Sequence, residues 1–68
     1  MGATYKLIRL VGISSESVSD AIQNAVSEAA GSVRSLAWYE VKELRGKIKG
    51  KEVAEYQVKL DVGFKVGD

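Results

Sequence analysis

The strongest constraint on this chain is an alternating segment near its C-terminal end. Between Ala54 and Val66 every even position is apolar, whereas the odd positions carry charged residues, one glutamine and one glycine. Successive side chains of a strand point to opposite faces, so this period of two predicts one buried face and one hydrated face. Such a strand needs neighbouring strands and a covering layer, which the rest of the chain has to supply.

The chain has 68 residues, which is enough for a single small domain, 1–68. A net charge of +1 argues against a dedicated nucleic-acid binder, which normally carries a basic face. No apolar run approaches the ~20 residues that span a bilayer, and the first residues do not form a signal peptide. We therefore expect no membrane partner and a cytoplasmic location.

Three residue types are absent from the sequence: cysteine, histidine and proline. Their absence excludes disulfides, thiolate or imidazole metal sites and a Ser-His-Asp triad. We predict no catalytic residues and no metal site. A core of this size rarely supplies more than ~3–5 kcal/mol, and natural domains this small use disulfides, metals or oligomerisation. Self-assembly is therefore favoured.

The first half of the chain predicts a strand followed by a helix. Residues 5–11 have the length and β-branched content of a strand, which Gly12 is expected to end. Residues 13–17 open a helix, with Ser14 or Ser15 as its cap. Gly31 is a natural C-terminal stop. The helix presents one stripe of small and medium apolar residues, at Val18, Ala21, Ile22, Ala25, Val26 and Ala29.

A second strand is predicted over residues 36–45, although neither of its faces is cleanly apolar. A turn containing Gly46 and Gly50 then joins it to the alternating strand as an antiparallel hairpin. The fold class is α+β, in the order β-α-β-β, with a three-stranded antiparallel sheet curled around one amphipathic helix. The third strand is expected at the centre of the sheet, with its even face on the helix and its odd face open.

Trp38 is the most informative single residue. If Tyr39 and Val41 face the helix, strand alternation directs Trp38 to the open face. An exposed tryptophan among polar residues marks either an aromatic ligand platform or an interface. Gln57, on the odd face of the third strand, offers both a donor and an acceptor to the edge of a flat heterocycle. The alternatives are that the odd face of the third strand is only solvated, and that Trp38 belongs to the core or is buried at a subunit interface.

The chain resembles the dodecins, a family of small flavin-binding proteins that assemble as hollow dodecamers. The resemblance covers almost the whole chain. Its most specific parts are Leu-x-Trp-x-Glu-Val from residue 36, Tyr-Gln-Val from residue 56 and Val-Gly-Phe from residue 62. Further similar segments are residues 5–6, 10–14, 21–22, 25, 42–46 and 55.

The resemblance implies a binding site shared between two-fold-related subunits, in which the two tryptophans of one pocket hold a pair of flavins between them. Trp38 would stack on the isoalloxazine ring, Gln57 would bond its polar edge, and Arg45 would hold the phosphate of FMN. Lys65 stands where the family often has a second arginine, and it lacks the planar fork of that residue. The implied cofactor is FMN, with riboflavin or FAD as alternatives, and some bacterial members also bind coenzyme A. Trp38 argues against a calcium-associated branch that lacks the tryptophan.

We therefore expect a homododecamer that stores and sequesters flavin, quenches its photochemistry and is not an enzyme. Two alternatives remain open. One is a non-catalytic homo-oligomeric interaction or structural module with no flavin, in which Trp38 is buried at a subunit interface. The other is a small flavin-dependent enzyme, although the chain has no glycine motif for a second nucleotide.

Overall fold

The computed structural model of the chain describes residues 2–67. Its elements are β1 (Thr4–Ser14), α1 (Val18–Ala30), β2 (Leu36–Lys49) and β3 (Glu52–Val66). The predicted β-α-β-β order is therefore confirmed. The molecule is elongated, with extents of 54 × 20 × 13 Å, because β2 and β3 form a long hairpin.

The three strands form one antiparallel sheet in the order β1-β3-β2. The alternating strand is thus central, as predicted, and both of its edges are hydrogen-bonded. Residues that pair across an antiparallel ladder share a face. The even positions of β3 consequently share one face with Ile8 and Leu10, whereas its odd positions share the other with Leu7 and Arg9.

The core lies between α1 and the even face of β3. Val58, Leu60 and Val62 are at most 1% exposed. They pack against the helix stripe that the sequence predicts, of which the fully buried members are Ala21, Ala25 and Ala29. The opposite face of the sheet, called the open face below, carries no helix among the described residues.

Gly12 does not end the first strand, which contradicts the prediction. The strand continues through it to Ser14. A Cβ at position 12 would collide with the backbone oxygen of Ala21 and would contact the side chain of Ala25. The glycine therefore permits close approach of the helix to β1, and its role is in packing rather than in a turn.

The helix also begins later than predicted. Its N-cap is Ser17 and not Ser14 or Ser15, since the Ser17 hydroxyl accepts the backbone N–H of Asp20 at 3.0 Å. Ser14 still lies in the strand, where its hydroxyl accepts the N–H of Glu16 and donates to Asp20. The stop at Gly31 is confirmed, because this residue is the C-cap.

The hairpin is longer than predicted, because β2 continues through Gly46 to Lys49. The turn consists of Gly50 and Lys51, and Gly50 has a φ of 66°, a conformation that favours glycine. The pairing of β2 with β3 shifts register after Leu36, after Val41 and after Lys47. The first two shifts each add a residue to β2 and move the following residues to the other face, which explains why its sequence shows no clean alternation.

The helix packs on β1 and β3, and on the same side of β2 only Leu36, at its start, is partly buried against the core, among the described residues. Four large apolar side chains of β2 on that side are exposed: Tyr39, Val41, Leu44 and Ile48. Within residues 2–67, no helix has both the length and the apolar character that crossing a membrane requires.

Gly12→Ala should destabilise the fold, because the added methyl group meets a backbone atom that cannot rotate away. Overpacking of this kind costs about 1–3 kcal/mol. Chemical denaturation at fixed protein concentration measures the change. Gly31→Ala is the control: Gly31 has right-handed helical dihedrals, and a Cβ there would lie 3.4 Å from its one neighbour, the backbone oxygen of Glu28, so the effect should stay within about 0.5 kcal/mol. Equal losses for the two variants would contradict the packing role of Gly12.

Candidate functional site

Trp38 lies on the open face, directly across from Gly63 of β3. A Cβ at position 63 would come within 2.9 Å of three contiguous indole atoms, Cδ2, Cε2 and Cζ2. Three adjacent ring atoms can be this close to one point only if the face of the ring lies over it. One face of the indole therefore covers the glycine, and the residue is 45% exposed. The outer face of the ring is available for stacking.

Tyr5 adds a second ring to this surface. The centroids of the Tyr5 and Trp38 rings are 4.9 Å apart, and the ring planes make an angle of 49°. Tilted aromatic pairs at this spacing are stabilising. We call Trp38, Gly63 and Tyr5 the aromatic platform. Lys65 lies beside it, since it is the cross-strand partner of Tyr5.

Arg45 and Gln57 form a second group on the open face. They are cross-strand partners, and Nε of Arg45 donates to Oε1 of Gln57 at 2.8 Å. Nε2 of Gln57 donates in turn to Oε2 of Glu55 at 2.9 Å. The amide is thus oriented by two neighbours, and it retains one N–H and one lone pair for a further partner. We call Arg45, Gln57 and Glu55 the amide group.

The platform and the amide group lie far apart within one chain. Gly63 and Gln57 are separated by six residues of the same strand, which corresponds to about 20 Å. Arg45 and Lys65 are further apart. Arg45 pairs with Gln57, which lies eight residues before Lys65 on β3, a distance of about 26 Å. The structure therefore brings Arg45 to Gln57 and Lys65 to the Trp38 end, and it does not bring the four predicted residues to one place.

The open face between the two groups carries three ion pairs. Arg9 binds Asp61 through two hydrogen bonds, from Nε at 2.7 Å and from Nη2 at 3.1 Å. The other two pairs are longer, at 3.5 Å for Lys42–Glu40 and 3.3 Å for Lys59–Glu43. Each of these cations faces a carboxylate, so the middle of the open face is charged but locally neutral.

The Arg9–Asp61 pair is the most strongly coupled of the three. The Arg9 guanidinium, chiefly through its hydrogen bond, lowers the pKa of the Asp61 carboxyl below its ordinary value. The same contact raises the pKa of Arg9. Bidentate geometry makes this pair stronger than a single contact, and it fixes the guanidinium on the open face.

Comparison with known families matches residues 4–67 to the dodecin family. The chain is 50% identical over 66 residues to the dodecin of Thermus thermophilus, an alignment that covers 97% of this chain and 96% of the relative. This chain belongs to the dodecin family. The resemblance inferred from its sequence motifs is therefore confirmed.

Solved structures of the family have the same fold. A crystal structure of a Thermus thermophilus protein superposes with a TM-score of 0.93 at 48% identity, covering 98% of each chain. The dodecin from Streptomyces davaonensis superposes with a TM-score of 0.91 at 35% identity over the whole of both chains. The predicted dodecin fold is confirmed by these similarities.

Two features of the site were not found by sequence reasoning. The first is Tyr5, which is distant in sequence from Trp38 and meets it only because β1 and β2 flank the same strand. The second is the Arg9–Asp61 pair, which depends on the register of β1 against β3. In the sequence Arg9 is a single charge between Leu7 and Val11, and this pattern does not identify its partner.

The Arg9–Asp61 pair predicts a specific loss of stability in acid. Because the pKa of Asp61 is lowered on folding, the pair contributes stability above the ordinary value of about 3.9 and loses it as the pH falls through the folded pKa. Asp61→Asn and Arg9→Gln should each be less stable than the parent at neutral pH. On acidification, the free energy of unfolding of each variant should fall by less than that of the parent.

The measurement is denaturant unfolding across the acidic range at one protein concentration, for the parent and both variants. Arg9→Gln tests the cause directly, since it removes the charge and its paired hydrogen bonds but keeps the carboxylate. An acid dependence in Asp61→Asn as steep as that of the parent would contradict the prediction.

Proposed function

We propose that this chain is a subunit of a homododecamer that binds, stores and sequesters FMN or riboflavin. The observation that carries the proposal is the Trp38 indole, which lies face-down on Gly63 with its outer face uncovered. Flat aromatic ligands bind to such surfaces by stacking. When bound, the flavin would supply a planar, light-absorbing ring, whose fluorescence an indole in contact with it quenches.

The residues of the amide group suit the polar parts of the same ligand. Gln57 offers a donor and an acceptor, which match the carbonyl and N–H groups at the edge of an isoalloxazine ring. The Arg45 guanidinium, oriented by its bond to Gln57, suits a terminal phosphate and favours FMN. Lys65, which lies beside the aromatic platform, would add a further positive charge.

The distance between platform and amide group supports a site shared between subunits. About 20 Å along β3 is longer than the three fused rings of a flavin. A ring stacked on one chain's Trp38 would therefore meet the Gln57 of another chain. Assembly is then a requirement of the proposed site, because a single chain carries its two halves at different places.

Exposed apolar side chains on both sides of the sheet also support assembly. On the open face, Leu7, Val11 and Ile13 are about half exposed. On the other side, a groove lined by Leu44, Ile48, Val53 and Tyr56 runs under the end of the hairpin. Single exposed apolar residues are ordinary, but contiguous patches mark interaction sites. The number of twelve subunits comes from the family resemblance.

The proposed role is binding rather than catalysis. A pair of flavins stacked between two indoles would leave little room for a substrate, and the resemblance to storage proteins also favours binding. The competing function is a flavin-free structural module, and the specific observation in its favour is the large exposed apolar surface. Coenzyme A as a second ligand, photoprotection as the purpose and the cytoplasmic location stay predictions from the sequence.

A titration of FMN fluorescence with the purified protein, handled in the dark, tests the proposal. We expect strong quenching that saturates at about one flavin per subunit, since each chain contributes one indole. Riboflavin and FAD in competition then rank the flavins. An oligomer that quenches none of the three would favour the structural module.

Trp38→Ala should weaken FMN binding by about ten-fold or more, because stacking on an aromatic side chain contributes about 1–3 kcal/mol per ring. The matched control is Tyr39→Leu, which removes the neighbouring aromatic ring from the opposite face and keeps apolar bulk. Light scattering should show both variants assembled. An unchanged FMN dissociation constant in an assembled Trp38→Ala variant would eliminate the stacking role.

Gln57→Leu should weaken FMN binding by less than Trp38→Ala does. The substitution removes one or two hydrogen bonds, each with a net contribution of about 1 kcal/mol, and it leaves the stacking surface in place. Titration of both variants under the same conditions gives the two dissociation constants. A larger loss for Gln57→Leu than for Trp38→Ala would overturn this ranking.

A further inference from the structure

Tyr5 and Trp38 reach towards each other across the central strand. Tyr5 lies on β1 and Trp38 on β2, so the full width of β3 separates their backbones. Their ring centroids are nevertheless only 4.9 Å apart. The rings meet where β3 contributes Gly63, because a side chain at that position would occupy the space of the indole. The contact therefore depends on all three strands.

Neither Gly63 nor the backbone of β2 is sufficient to fix the indole. Gly63 supports one face of the ring, but it cannot prevent the side chain from rotating to another rotamer towards solvent. Trp38 is 45% exposed, so its outer face is not fully covered by any residue in the part of the chain that the structure describes. Tyr5 stands on the far side of β3 and occupies the direction into which the indole extends. It is the neighbour that can hold the ring in one place.

We infer that Tyr5 is a positioning residue, which holds the Trp38 indole over Gly63 and presents its outer face to the ligand before the ligand arrives. The inference rests on the proposed flavin site and adds a residue to it. Tyr5 acts through Trp38 in this assignment. Its contribution to affinity comes from ordering the platform in the free protein, as expected for a preorganised site.

The expected magnitude follows from the ring contact. A tilted aromatic pair stabilises the ordered indole, and a ligand that had to order it would bind less tightly. Loss of the Tyr5 ring should therefore weaken FMN binding by about three- to ten-fold. The contact is one between rings, so a phenyl group should replace the phenol with a change of less than about two-fold.

The experiment compares Tyr5→Leu with the conservative Tyr5→Phe. Lys6→Ala is the matched control, because Lys6 is the next residue of the same strand, is also exposed and pairs with Phe64, which places it on the opposite face of the sheet from the platform. Two properties are measured for each oligomer: the near-ultraviolet circular dichroism of the indole without ligand, and the FMN dissociation constant. Trp38 is the sole tryptophan, so the indole band reports this residue alone.

We expect Tyr5→Leu to lose most of the indole band and about three- to ten-fold in affinity, whereas Tyr5→Phe and Lys6→Ala retain both. An unchanged indole band in Tyr5→Leu would overturn the inference. If affinity fell while the band persisted, Tyr5 would touch the ligand itself and would not act through Trp38. If the parent protein bound no flavin, the proposed function would fail, and the indole band would still decide the role of Tyr5.

A measurement on the unsubstituted protein covers the case in which Tyr5→Leu does not assemble. Selective labelling of tyrosine and tryptophan in a deuterated background allows nuclear Overhauser contacts between the two rings to be detected. The structure predicts such contacts in the free protein, since the centroids are 4.9 Å apart. Their absence in a protein that shows other aromatic contacts would contradict the positioning role.

Discussion

The structure depends on the position of β3 between two strands and beneath one helix. Its even residues, Val58, Leu60 and Val62, form the core with α1, and its odd residues form the floor of the open face. A shift of one residue in its register would exchange the two sets. Asp61 would then point at the helix, and Gly63 would no longer lie under Trp38. The buried contacts of the even face therefore also set the geometry of the aromatic platform.

Much of this fold could be predicted from the sequence because its signals are local. The alternation of β3 and the stripe of α1 are periodic over many residues, and both were predicted correctly. The error at Gly12 has a different origin. Glycine at the end of an apolar run resembles a break, yet this one is required by a contact with Ala21, which folding brings to it. The bulges of β2 are equally hidden, since a single added residue reverses the faces without leaving a composition signal.

The sequence correctly predicted that Trp38 lies on the open face, but it did not predict the arrangement of the candidate site. Trp38 and Gln57 were identified by motif, and alternation directed the tryptophan to the open face, where it lies. The distance between Trp38 and Gln57 depends on which residue of β3 lies opposite Trp38. The motif residues alone do not give this pairing. Tyr5 and the Arg9–Asp61 pair needed the register of β1 against β3. Contacts between edge strands across a central strand are the least accessible to reasoning from sequence.

The proposed division of the site between chains would link ligand binding to assembly. If each pocket takes its platform from one chain and its amide group from another, an isolated chain has no complete pocket, and flavin binds the assembled state alone. A ligand that binds only one state stabilises that state. Once the ligand is in excess, the stabilisation grows with the logarithm of its concentration divided by the dissociation constant. The charges between the aromatic platform and the amide group fit this arrangement. They pair with one another, whereas Arg45 and Lys65 have no carboxylate partner within 4 Å among residues 2–67. Saturation with flavin would then favour the assembled state, and the surface that binds the ligand would also hold the subunits together.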